Sequence, residues 1–320
     1  MQKKIIKATA IYLVLFCFSI NSYAIHKSET VQTVVNTNDS VVLRLNDYVG
    51  DIQWQLYTGN SEWESLSGEV FDTLLFVADT TTLFRAKVVA GSCEPFYSDE
   101  IFVAVRPACP EQPIVTDFDG NVYQTVLINN QCWFVQNLRV THYANGDPIE
   151  HLPSNLEWSN SHSDETGGWC WYNNDNQNEA VFGKLYNWYA VSDERNLCPP
   201  GWHVPTSQEW DSMVNYIGGG ASSGGKLKST GSLEYENGFW HNPNTGATNE
   251  IGFWGHPGGY RLFSGTFQNI GYSADWWTST SSTTNYAIIK YLLHDSISVG
   301  TYSLASVREG FSVRCIKIIE

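Results

Sequence analysis

Positive charge is scarce in this chain. Eighteen Lys and Arg stand against 33 Asp and Glu in 320 residues, for a formal net charge of −15. Three of those basic residues, Lys3, Lys4 and Lys7, sit together at the start. A nucleic-acid partner is therefore not expected, because binding a polyanion rests on Lys and Arg displacing counterions from phosphates. Long apolar runs are also lacking. Beyond residues 10–18 no stretch approaches the ~20 apolar residues of a membrane-spanning helix, so no membrane span is expected. No two cysteines are spaced CxxC and no Cys/His group accompanies them, which argues against zinc.

What is present at the start is MQKKIIKATAIYLVLFCFSINSYA: lysines, an apolar run, then Ser22-Tyr23-Ala24. That order is a secretory leader, residues 1–24, cleaved after Ala24. Cys17 lies behind the bulky Leu15 and Phe16, where a lipid-attachment site would want small residues. Six cysteines follow, Cys93, Cys109, Cys132, Cys170, Cys198 and Cys315. An even number in an exported chain favours disulfides, and spacing alone leaves their pairing open.

GGGASSGGKL, residues 218–227, contains GxxxxGK. A phosphate loop follows a strand and opens a helix. Here the glycines follow a helical pattern, and Leu227 stands where Ser or Thr would hold a metal. The stretch reads as a helix stop and a flexible loop.

Residues 25–107 repeat short alternating segments. Val41, Leu43 and Leu45 share one strand face; Ile52, Trp54 and Leu56 a second; Phe84, Ala86 and Val88 a third; Ile101, Val103 and Val105 a fourth. Period-two alternation between turns means antiparallel strands packed as a β-sandwich, with Trp54 at its centre. The segments DIQWQLYTGNSEWESLSG and LFRAKVVAGSCEPFYSDEIFVAV resemble the immunoglobulin-like modules of secreted Bacteroidetes proteins. The resemblance implies a spacer or adhesive unit. Arg106-Pro107-Ala108-Cys109-Pro110 breaks the strand pattern, since proline removes a donor and fixes the backbone.

Residues 108–320 have a different grammar, and 11 of the 13 tryptophans lie in them. Asp119-Gly120 and Asn129-Asn130 mark hairpin turns. Asp117, Asp119 and Asn121 lack the glycine and distant glutamate of a calcium loop. Thr206 and Glu209 form a capping box before Trp210, Met213, Val214 and Ile217, an amphipathic helix that Gly218 ends.

The ordered motifs DFDGNVYQTVLINNQCWFVQNLRVTHYANGDPI, CWYNND, FGKLYNWYAV, LCPPGWHVPTSQEW, GGKLK, NTGATNEIGF, PGGYR, WWTST and GFSVRCIKI closely resemble the Fibrobacter succinogenes major paralogous domain. The resemblance implies a C-type-lectin-like α+β fold, so that the whole chain is mostly β: an immunoglobulin-like sandwich followed by a lectin-like domain. It further implies a disulfide between Cys198 and Cys315 and a second between Cys132 and Cys170, leaving Cys93 and Cys109 for each other. It supplies no catalytic residues.

The function expected from these readings is recognition or adhesion without covalent chemistry, on the cell surface, outside the cell or in the periplasm. The ligand would be a glycan or a surface or matrix protein. Loop aromatics are the ligand candidates, since binding residues concentrate on loops held by a rigid frame: Trp158, Phe239, Trp240, Phe263 and Tyr272, with His162, Phe267, Tyr286 and Tyr291 behind them. Trp188, Trp202, Trp210, Trp276 and Trp277 lie within scaffold motifs and are read as core. No cofactor is expected. Calcium is the one ion for which donors occur in a run, at Asn173, Asn174, Asp175, Asn176 and Glu179, which is equally a turn sequence. Two alternatives stand beside recognition: a structural subunit of a surface appendage or layer assembling with other surface proteins, and an enzyme like the formylglycine-generating oxidases, with Cys132, Cys170 or Cys315 as reactive thiols.

Overall fold

The computed structural model describes residues 4–9, 31–36, 40–46, 48–59, 62–78, 82–91 and 94–319. The chain divides into two compact units, Met1–Pro107 and Ala108–Glu320.

Among the described residues the first unit contains nine strands: β1 (Lys4–Thr9), β2 (Val31–Asn36), β3 (Ser40–Asn46), β4 (Asp51–Gly59), β5 (Glu62–Ser65), β6 (Thr73–Val77), β7 (Thr82–Val89), β8 (Phe96–Tyr97) and β9 (Ile101–Arg106). β3 lies between β1 and β6 in one sheet; the other runs β2-β9-β7-β4-β5, with β8 on β7. The alternating faces read from the sequence meet in one core: Val41, Leu43 and Leu45 of β3 against Ile52 and Trp54 of β4, Phe84, Ala86 and Val88 of β7, and Ile101 and Val103 of β9. Trp54 is fully buried and its indole N–H donates to Phe71 O at 2.9 Å, so its one polar atom is satisfied. Of the segment read as a leader only residues 4–9 are described, as β1; the cleavage site and Cys93 lie outside the described residues.

The second unit contains β10 (Ile114–Thr116), β11 (Val122–Ile128), β12 (Gln131–Phe134), β13 (Glu150–His151), β14 (Gly168–Cys170), β15 (Leu185–Tyr186), β16 (Tyr260–Arg261), β17 (Phe267–Gln268), β18 (Ser273–Thr283), β19 (Tyr286–Leu293), β20 (Gly300–Ser306) and β21 (Ile316–Ile318). Its helices are α1 (Asn155–Asn160), α2 (Glu179–Phe182), α3 (Trp188–Val191), α4 (Ser207–Tyr216) and α5 (Gly224–Leu227). β10-β11-β12-β21 form one antiparallel sheet and β18-β19-β20 another. The hairpin turn at Asp119-Gly120 is held by the Asp117 carboxylate, which accepts from Asn121 N at 2.9 Å and from the Tyr123 hydroxyl at 2.6 Å.

Helix α4 starts as its sequence requires. The Thr206 hydroxyl accepts from Glu209 N while the Glu209 carboxylate accepts from Thr206 N at 2.7 Å. Trp210, Met213 and Val214 then point inward. Trp210 meets Trp133 of β12 with ring centroids 4.9 Å apart and Phe253 at 5.5 Å, and Phe253 meets Trp276 of β18 at 5.7 Å. Such tilted and edge-on contacts each add about 0.5–1.5 kcal/mol to the burial of apolar area. The glycine-rich stretch after α4 is not a flexible loop. Gly224 and Gly225 open the short turn α5, and a Cβ on Gly225 would stand 2.1 Å from Gly246 O. Close packing against neighbouring backbone fixes this segment, and the Lys226 ammonium is taken by Glu250 at 2.8 Å.

One disulfide joins Cys198 to Cys315, tying the segment before α4 to the residue before β21. The other joins Cys109 to Cys132, which corrects the pairing of Cys132 with Cys170 and of Cys109 with Cys93. Cys109 and Cys132 share one core cluster, whereas Cys170 belongs to another, with Trp158, Tyr172 and Leu185. Cys170 is a buried free thiol, pushed up to about 12 by burial.

Two buried arginines hold the irregular segments. Arg314 donates to Asn137 Oδ1 at 2.9 Å and to the carbonyls of Phe134, Phe253 and Trp254. Arg261 donates to the carbonyls of Gly265, Leu152 and Pro153 and lies between the rings of Trp158 and Phe267. Lys228 does the same work on one loop, donating to Leu293 O and Ser296 O, both at 3.0 Å.

Candidate functional site

Strand pleating places one set of side chains on a common face of the β18-β19-β20 sheet. Ser273 and Asp275 of β18 stand opposite Leu293 and Tyr291 of β19, and Ile289 stands opposite Tyr302 of β20. β16 carries Tyr260 to this face, because Arg261 exchanges backbone hydrogen bonds with Gly310 at 2.7 and 2.8 Å. That bridge brings Glu309 and Phe311 in as well. The result is a cleft of about 400 Å³. Phe311 and Ile289 are buried at its floor, and Tyr302, about half exposed, stands at its rim. The size falls within the range of small-ligand sites.

Gly300 lies opposite Tyr291 in the β19-β20 register. A Cβ there would stand 2.1 Å from the Tyr291 ring, so glycine is what allows that ring to lie across β20.

The electrostatics of the cleft are one-sided. Asp275 is 6 % exposed, and its carboxylate accepts from the Ser273 hydroxyl. Burial raises its pKa to about 7; the Ser273 hydrogen bond opposes the shift and Glu309 adds to it. Burial raises Glu309 too, opposed by a hydrogen bond from Ser306 N at 2.9 Å. The Tyr260 phenol is raised by burial and then by both carboxylates. The cleft thus presents two desolvated carboxyl groups among three tyrosines, an arrangement suited to binding and to holding or releasing a proton.

The aromatic candidates named from the sequence lie elsewhere. Trp158 is fully buried in α1 and donates to Arg308 O at 2.9 Å. Trp240 is fully buried and donates to Gly255 O at 3.0 Å and Ser229 Oγ at 3.2 Å. Phe239 is half-buried, edge-on to Phe182 and His256. Phe263 is exposed beneath the Arg308 guanidinium, and Tyr272 is exposed and stacked on His241 at 4.2 Å. The structure does not gather these five in the cleft. His162 binds the Tyr189 hydroxyl at 2.6 Å, and Phe267 packs on Tyr172. Tyr291 alone of the wider set lines the cleft.

Sequence reasoning missed Tyr260, Asp275, Tyr302 and Glu309. The signal that could have found Asp275 is a lone carboxylate in SADWWT, where six consecutive residues are buried.

The oxygen-rich run is internally committed. Asp175 accepts from Gln177 N at 3.0 Å, the Asn174 amide donates to Pro153 O at 2.6 Å, and Glu179 accepts from Lys184 at 2.8 Å and from the Trp171 indole at 2.7 Å. Among the described residues no group of three or more His, Cys, Asp or Glu is placed to hold a metal ion.

Fold and cleft together define a β-rich protein of two units whose second unit carries a small concave site. The family model of the Fibrobacter succinogenes major domain matches residues 126–317, and the chain belongs to that family. Residues 26–107 match a domain of unknown function, DUF8696. No curated protein matches the chain. Among the described residues no helix is long and apolar enough to cross a membrane, and the two disulfides are consistent with export to an oxidising compartment.

Proposed function

We propose that this is an exported recognition protein without covalent chemistry, in which an immunoglobulin-like unit spaces a C-type-lectin-like head from its point of attachment. The observation that carries the reading is the tyrosine-lined cleft on the β18-β19-β20 sheet, with Asp275 buried in it. The state of the thiols supports a binding role over cysteine chemistry. Cys132 and Cys315 are spent in disulfides, and a buried thiol pushed up to about 12, as at Cys170, is a poor nucleophile.

A second reading has its own observation. Among the described residues β6 is the outer strand of its sheet, and Leu75 and Val77 on it are more than half exposed, as is the nearby Phe71. An apolar edge strand invites strand addition, which favours a subunit that assembles with other surface proteins.

The test is binding of the full chain, disulfides intact, to arrays of glycans and of surface and matrix proteins, with and without calcium. A saturable hit that Tyr302→Ala abolishes without lowering the unfolding midpoint supports the head and its cleft. A blank on both arrays refutes it and leaves assembly through β6.

A further inference from the structure

Resting on the reading of the cleft as the recognition site, we propose that its ligand presents a protonated organic amine on a ring-sized polar body. The ammonium would sit between Asp275 and Glu309 and against the tyrosine rings.

The cleft lacks a counter-ion. Each ion pair among the described residues engages a carboxylate other than Asp275 and Glu309. The hydrogen bonds they receive come from neutral donors, the Ser273 hydroxyl and the Ser306 amide. Two carboxyls in one partly desolvated cleft without a basic side chain among its lining cost free energy, since buried charge is tolerated when it is paired. Burial raises the pKa of both, as expected for carboxyls that no basic side chain faces.

The walls select what kind of cation fills the gap. Tyr260, Tyr291 and Tyr302 line the cleft, and the negative quadrupole of a tyrosine ring attracts an ammonium group. A hard metal ion is a poor match: calcium takes about six to eight oxygens, and most of this lining is aromatic and aliphatic. An anion would meet two carboxyls, and a neutral ligand would leave them uncompensated. The volume of about 400 Å³ accommodates one sugar ring or the end of a lysine side chain. Asn269 and the tyrosine hydroxyls at the opening supply hydrogen bonds for a polar body.

Two sources carry this chemistry, a deacetylated amino sugar and a lysine side chain. Calorimetric titration of the full chain at neutral pH with glucosamine, glucose, N-acetylglucosamine and Nα-acetyl-lysine amide separates them. The expected result is that glucosamine or the lysine amide binds roughly tenfold or more tightly than either neutral sugar, a difference of ~1.4 kcal/mol. The better-binding amine identifies the source. Asp275→Asn and Glu309→Gln should each lose most of that preference while the protein still unfolds cooperatively. Amine binding that survives both substitutions overturns the inference, as does the absence of binding by either amine. Neutral sugars that bind as tightly as glucosamine, with loss in Tyr302→Ala, also overturn it but leave the cleft standing as a recognition site.

Discussion

Replacing Asp275 by asparagine should stabilise the protein at neutral and alkaline pH and do little in acid. An unfolded aspartate titrates near ~3.9, and the folded group titrates at about 7. Because the folded value is raised, the folded state binds the extra proton between these limits. The unfavourable contribution of Asp275 is therefore absent below about pH 4, grows through the interval and is complete above about pH 7. A shift of about three pH units corresponds to roughly 4 kcal/mol at 1.36 kcal/mol per unit, an upper figure because water entering the cleft screens part of it. Asparagine keeps the shape and the acceptor for Ser273 without the charge. The assay is denaturant unfolding of wild type and Asp275→Asn, disulfides intact, from pH 4 to pH 8. It is followed by tryptophan fluorescence, which reports mainly the second unit because 11 of the 13 tryptophans lie there. The difference in stability between the two proteins should rise with pH by a few kcal/mol. A difference that is flat across the range, or a variant that is less stable at pH 8, would refute the claim that an unpaired carboxylate is buried here.

The same physics gives three further expectations. Replacing both Cys198 and Cys315 by alanine opens a loop with a sequence separation of 117 and should lower stability by up to roughly 5 kcal/mol on the chain-entropy account, measured as a shift in the unfolding midpoint. Trp240→Ala should cost about 3–5 kcal/mol through the cavity it leaves, while any ligand affinity of the cleft, measured where the variant is folded, stays unchanged because Trp240 does not line it. Gly300→Ala should displace the Tyr291 ring and cost about 1–3 kcal/mol by overpacking; titration should show weakened binding, and unchanged affinity would refute the role given to that close approach.

Local rules carried the sequence reading where the structure is itself local. The capping box at Thr206 and Glu209 and the inward face of Trp210, Met213 and Val214 are contained in one turn-by-turn pattern. The inward faces of β3, β4, β7 and β9 follow from alternation alone. The cleft has no such pattern, because Tyr260, Asp275, Tyr302 and Glu309 meet through register and a two-residue bridge between β16 and the segment at Gly310. Irregular stretches misled in the opposite direction. Trp158 and Trp240 occupy segments without strand or long-helix periodicity, yet both are sunk because carbonyl acceptors await their indole N–H groups. The disulfide between Cys109 and Cys132 was hidden for a related reason: Cys170 lies in a separate cluster beside Arg261, which no spacing reveals.

The buried guanidinium groups grip main-chain oxygens at Leu152, Pro153, Gly265, Phe134, Phe253 and Trp254, with side-chain hydrogen bonds at Asn137 and Asn155 and ring contacts at Trp158, Phe267, Phe253 and Trp276. A carbonyl is the same group whatever residue bears it. The carbonyl hydrogen bonds of Arg261 and Arg314 are therefore indifferent to which side chains the loops carry, and only the rings of Phe267 and Phe253 add a requirement of their own. Residues 262–270 and 250–256 can therefore change at outward positions without losing the main-chain acceptors that anchor them, which separates what holds these loops from what they display.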